Sequence, residues 1–183
     1  MTRRPPDLDD PALWGAARRW VERYGGTAAS LRAMLRRRIA RALAAGSEVD
    51  VAEARSRVDA IVARLEAAGL VDDAAWAEAR AVTLARRGLA RSVIRGRLAS
   101  KGVPASAIAS ALDALADGEV DPDLSAAIAL ARRRRLGPYR DPGQRAIRRD
   151  RDLAALGRAG FGWALAVRVI DAPSVESLGA LLR

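Results

Sequence analysis

Apolar residues recur every third or fourth position along most of the chain. The clearest line, Leu31, Leu35, Ile39 and Leu43, predicts a helix that Thr27 opens and Gly46 ends. Ala54, Val58, Ile61 and Leu65 mark another over about residues 51–68. Pro104 opens a further helix with Ile108, Ala111, Leu112 and Leu115 at helical spacing. The pairs Asp10-Pro11, Asp121-Pro122 and Asp141-Pro142 each combine a capping side chain with a Pro suited to the first helical position. They predict helices running to about Tyr24, Leu136 and Leu156. Additional helices are expected over about 73–87, 91–100 and 162–171, with Ser174 capping a last short turn. No stretch of alternating Val, Ile or Thr supports a strand, so the predicted class is all-α, with nine or ten helices.

The pattern also repeats. Leu98-Ala99-Ser100-Lys101-Gly102-Val103 and Leu156-Gly157-Arg158-Ala159-Gly160-Phe161 both read Leu-x-x-x-Gly-apolar. A Gly just past the last turn supplies the left-handed residue that ends a helix, and the apolar residue after it packs back. Displaced by 63 residues, Asp9-Asp10 falls on Asp72-Asp73, Gly25 on Gly88, Leu31 on Ile94 and Leu35 on Leu98. Displaced by 50, Asp73 meets Asp123. One helical unit used three times predicts three tandem three-helix modules in an elongated, curved array. The expected boundaries are a mobile stretch over 1–9, then modules over 10–69, 70–118 and 119–183, with Gly118-Glu119-Val120 as a linker.

Composition narrows the function classes. The 183 residues are half hydrophobic, but aromatics make up only 4%, so each core must be thin and Ala-rich. Cys and His are both absent. That removes disulfides, thiolate zinc sites, Ser-His-Asp triads and imidazole acid–base chemistry together. No cofactor, metal or catalytic residue is expected. Nor is a membrane span, because no run of about 18 apolar residues is free of charge. Met1-Thr2-Arg3-Arg4-Pro5-Pro6 lacks a following apolar segment, so a secretory signal is not expected and the cytoplasm is.

The formal net charge is +10, and all basic residues but Lys101 are Arg. Part of that bias is the bland effect of genome base composition. Even so, Arg forms bidentate contacts to carboxylate and phosphate, which suits a polyanion or an acidic protein face. The candidate partner- or DNA-binding residues are Arg36, Arg37 and Arg41 beside Arg38, the run Arg132, Arg133, Arg134 and Arg135, and Arg145, Arg148, Arg149 and Arg151. Arg145, Arg148 and Arg149 share one helical face and are expected to face solvent, replaceable without loss of the fold. The competing reading is a solvated face with cations satisfying a helix C-terminus. Two dense clusters in one third of the chain favour binding.

Other features weigh less. Asp72-Asp73 reads as a helix start, with Asp72 capping and Asp73 at the positive end of the dipole, and not as a metal pair. Gly96 to Gly102 faintly resembles a phosphate loop, but it lacks the Gly before the Lys and lies in a helix. Trp14, Trp20, Trp76 and Trp163 are expected as packed core anchors, not as surfaces for base stacking.

In order and spacing, three segments resemble a known family. They are Gly69-Leu70-Val71-Asp72-Asp73-x-x-Trp76-Ala77, then Arg86-Arg87-Gly88 with Leu98-Ala99-Ser100-Lys101-Gly102-Val103, then Leu153-x-x-Leu156-x-Arg158-Ala159-Gly160-Phe161. Together, over about residues 12–171, they resemble RecX, the bacterial regulators of the RecA recombinase. The resemblance implies a non-enzymatic protein of recombination, DNA repair and the SOS response, and a monomer is expected. Such a protein binds the RecA–DNA filament and lowers its ATP hydrolysis and strand exchange; some members also touch DNA, single- or double-stranded. Module one departs from the pattern: Arg38-Ile39 stands where Lys101-Gly102 stands in module two, so its second helix should run on. The alternative is a helical protein acting directly on DNA through its Arg-rich helices, although no sequence-reading helix stands out.

Overall fold

The computed structural model describes residues 10–116 and 120–182. The expected mobile stretch over 1–9 and the Gly118-Glu119 part of the linker lie outside them, as does the Asp10 side chain. Ten α-helices follow one another among the described residues: α1 (Asp10–Tyr24), α2 (Ala28–Ala44), α3 (Val51–Ala67), α4 (Asp73–Arg86), α5 (Arg91–Ala99), α6 (Ala105–Asp113), α7 (Pro122–Arg134), α8 (Pro142–Arg158), α9 (Trp163–Ile170) and α10 (Val175–Ala180). The protein is all-α, with no strand among the described residues.

The described helices form two compact units, residues 10–76 with 101–104, and 77–100 with 105–116 and 120–182. In the first, the periodic lines drawn from sequence are the core: Leu13 of α1, Leu31, Leu35 and Ile39 of α2, and Val58, Ile61 and Leu65 of α3 are buried together. Leu43, the last of its line, is only half-buried, and Ala42 takes the inward position. In the second unit, Leu124 and Leu130 of α7 pack with Leu153 and Leu156 of α8, Val169 and Ile170 of α9 and Leu178 of α10. Each inward side chain of this size removes about 1.5–3 kcal/mol of apolar exposure. Small Ala residues between them let the helices approach.

The repeat has a physical cause that its residues alone do not reveal. Asp72 caps its own helix, accepting from the amides of Ala74 and Ala75 at 2.9 Å each. Asp73 does not merely sit in the dipole; its Oδ1 accepts from the Ala28 amide, the first residue of α2, at 2.8 Å. In the second unit Asp121 caps α7 through the Asp123 amide, and Asp123 accepts from the first amide of α5, Arg91, at 2.8 Å. In each unit the second Asp of the pair thus caps a helix that came earlier in the chain.

The Leu-x-x-x-Gly turns complete the joint. Thr27 donates its hydroxyl to the Lys101 carbonyl at 2.6 Å, and the Ala90 amide donates to the Ala159 carbonyl at 3.1 Å. Gly102 and Gly160 follow, with φ of 73° and 93°. A Cβ at Gly102 would strike Ala29, and one at Gly160 would strike Val93. Only glycine combines that backbone with that approach. α2 does run on without the break: it has 17 residues against nine in α5.

Candidate partner-binding surfaces

In the first unit the candidate arginines lie on α2. Arg36, Arg37 and Arg41 are all exposed. Arg36 is 3.7 Å from Asp59, which Arg32 also approaches at 3.3 Å. Arg41 turns back, its Nε donating to the Arg37 carbonyl at 3.3 Å. Arg37 makes no ion pair among the described residues, so it is the cation this helix displays most openly.

In the second unit, Arg132, Arg133, Arg134 and Arg135 are exposed at the end of α7. Arg133 donates to the Arg87 carbonyl at 2.7 Å, satisfying one of the unpaired carbonyls at the end of α4. Arg135 stands apart for its backbone: φ 53° and ψ 55° place it in the left-handed region. Here its amide donates to the Arg132 carbonyl, and the Leu136 amide to the Ala131 carbonyl, closing the helix. Elsewhere Gly46, Gly69, Gly88, Gly102 and Gly160 hold positive φ after a helix. This one end puts an arginine where glycine is cheaper.

An open apolar groove of about 560 Å³ runs beside these arginines. Ile128, Tyr139, Val175 and Leu182 line it, with Arg132 and Arg133 along one side.

The α8 cluster does not form the open basic face that its spacing suggests. Arg145 donates to the carbonyls of Ala172 and Pro173, at 2.5 and 3.0 Å. Arg149 grips Asp171 with both arms, Nε at 2.8 Å and Nη2 at 2.6 Å. These bonds tie α8 to the turn after α9. The Arg149 guanidinium holds the Asp171 carboxyl below its ordinary range, chiefly through that hydrogen bond, and Arg149 is raised in return. The expectation that all three arginines are replaceable without cost to the fold is therefore corrected. The reason is geometric: Arg145 and Arg149 precede the buried Leu153 by eight and four residues. The face read as a docking surface is the packing stripe continued past the apolar residues. Arg148 is half-buried with no ion pair among the described residues, and Arg151 points away, exposed.

Sequence reasoning missed the most buried charge. Asp152 is 2% exposed. It accepts from the Gly137 amide at 2.9 Å and from Arg140 at 3.0 and 2.7 Å. The bonds to Asp152 raise the Arg140 guanidinium above its ordinary value. The signal was an Asp at an inward position between Arg151 and Leu153, hidden among arginines.

The tryptophans also divide. Trp14, Trp20 and Trp76 are half-buried, and Arg64 lies 4.4 Å over the ring of Trp14. Trp163 is 69% exposed, against the expected core role. Trp163 is the first residue of α9, where side chains lean toward the helix N-terminus, and Phe161, the large apolar residue of the turn before it, is itself buried.

No helix among the described residues is long and apolar enough to cross a membrane. Residues 72–112, which span α4, α5 and all but the last residue of α6, match the family domain described as "RecX, second three-helix domain". Over 171 residues the chain is 41% identical to a "Regulatory protein RecX" of Myxococcus xanthus, spanning 92% of this chain and 89% of that protein. No solved structure matches the chain. With its repeated Asp caps, its Gly-closed helix ends and this near full-length relationship, the chain belongs to the RecX family of regulatory proteins.

Proposed function

We propose that the protein modulates RecA by binding alone, docking on the RecA–DNA filament and slowing its ATP hydrolysis and strand exchange. The observation that carries the reading is the 41% identity maintained over 92% of the chain to a protein named "Regulatory protein RecX". The composition supports it, since with neither Cys nor His the thiolate and imidazole nucleophiles and imidazole proton shuttles are missing. Arg37, Arg132, Arg134 and Arg151 are exposed and supply cations for an acidic protein face or for phosphates. The groove beside Arg132 offers the apolar contact that a protein partner needs and a phosphate backbone does not. The three-module array, with boundaries near 69 and 118, remains part of this reading: each module would present a small surface along an extended partner.

The test is RecA activity on single-stranded DNA, with and without the protein, followed by strand exchange in the same mixtures. Both activities should fall together. An unchanged ATPase at saturating protein would sink the proposal.

A further inference from the structure

The groove beside Arg132 lies within the second unit, and its walls are held independently of any partner. One wall is the face of α7 that bears Ile128, Ala129 and Arg132; the other is α10 with Val175 and Gly179, and Leu182 just beyond it. A helix of six residues is not stable alone. This one is anchored by the buried Leu178 and by the Ser174–Ser177 capping box, and Arg145 holds the Pro173 carbonyl just before it at 3.0 Å. Tyr139, which also lines the groove, stands between Gly137 and Arg140, both bonded to the buried Asp152. A groove formed in advance spares its ligand the cost of ordering it.

The lining is apolar except along one edge, and there it is cationic. Val175 and Leu182 are exposed, and nothing stands within 4 Å of where a Cβ of Gly179 would be. Arg132 has no ion pair among the described residues, and Arg133 gives only its Nη2 to the Arg87 carbonyl. No lining residue bears a carboxylate. Those on the elements around the groove are answered where they stand. Asp121 and Asp123 accept from the amides of Asp123 and Arg91, and Asp141 accepts from that of Gly143. Asp152 is bound to Arg140 and Asp171 to Arg149. Ser174 and the Glu176 amide hold the Glu176 carboxyl below its ordinary range.

We infer that this groove takes an amphipathic helix of a partner protein, acidic along one flank. Its apolar stripe lies over Ile128, Ala129, Val175 and Leu182, and its carboxylates meet Arg132 and Arg133. Helices seated in grooves are held by apolar anchors one turn apart, which is the contact this lining offers. Cations on one edge alone fix which way round the helix lies. A phosphate backbone has no apolar stripe to bury here, and a neutral helix leaves both guanidiniums unanswered. The inference rests on the reading that a protein docks in this groove, and it does not require that protein to be RecA.

The probe is a fluorescent, capped peptide of about fourteen residues, with leucines at helical anchor spacing and glutamates down one flank. It is titrated into the whole chain with neither RecA nor DNA present, and binding is read as anisotropy. A companion peptide carries glutamine for every glutamate and should bind about fivefold more weakly, the worth of two exposed ion pairs. Arg132→Gln should narrow that gap. Gly179→Leu should weaken binding about tenfold or more by filling the groove, a loss of the size that marks a central contact. Its unfolding midpoint should hold or rise, since a helical glycine is replaced where a Cβ meets nothing. Ala129→Leu fills the groove from the α7 wall and should act alike. An unbound glutamate peptide, equal binding of the glutamine peptide, or undiminished binding by both filled variants overturns the inference. Peptide binding beside an unchanged RecA ATPase would sink the proposed function and leave this inference standing.

Discussion

At the residue scale, the arginines sort by what they touch. Asp152 is buried with Arg140 and the Gly137 amide as partners. Replacing it with Ala would strand that amide, and Arg140, whose side chain is 25% exposed, would turn only partly to water. The expected loss is about 2–4 kcal/mol, seen as an earlier midpoint in urea. Arg149 and Asp171 make a different prediction. Because Asp171 is held below the ordinary carboxylate range in the folded protein, its pairing stabilises fully above about pH 4 and is lost as pH falls below that. Asp171→Asn should remove that slice of acid sensitivity, so parent and variant stabilities should converge as pH falls below about 4. Reversing Arg145, Arg148 and Arg149 to Glu should now destabilise the protein, whereas Arg151→Glu should not; thermal unfolding distinguishes them. None of this was legible in the sequence. Helical spacing says which residues share a face, but not what the neighbouring chain places against it. The partners, at 171–173, lie more than twenty residues further along the chain.

At the scale of elements, much more could be read beforehand, because helix ends are written locally. Asp-Pro pairs and glycines fix where α7 and α8 begin and where α2, α3 and α4 end, within a residue or two. α8 continues two residues past the expected Leu156, to Arg158, before Gly160 takes the left-handed position. The role of the second Asp could not be seen, because its acceptor work is done for another helix. Asp73→Ala should uncap α2, and Asp123→Ala α5, each lowering stability by about 1 kcal/mol in chemical denaturation. Arg135 predicts the opposite sign. Glycine there would relieve the left-handed backbone at φ 53°, so Arg135→Gly should raise stability by about 1 kcal/mol. If the charge matters to partners, that more stable variant should also inhibit less.

For the whole molecule, the repeated joint explains why one sequence pattern recurs. An Asp and a Gly-closed turn together seal the start of an earlier helix, at Ala28 in one unit and at Arg91 in the other. Family membership was legible from the order of short motifs, since those motifs are the joints themselves. The central claim is that the partner is RecA and not DNA at large. It is tested most directly by titrating the protein into RecA turning over ATP on single-stranded DNA, beside an unrelated DNA-dependent ATPase on the same DNA. The account predicts that RecA slows at concentrations below those at which the protein coats naked DNA, while the unrelated enzyme keeps its rate. Equal inhibition of both enzymes, or inhibition only once the DNA is coated, would contradict it.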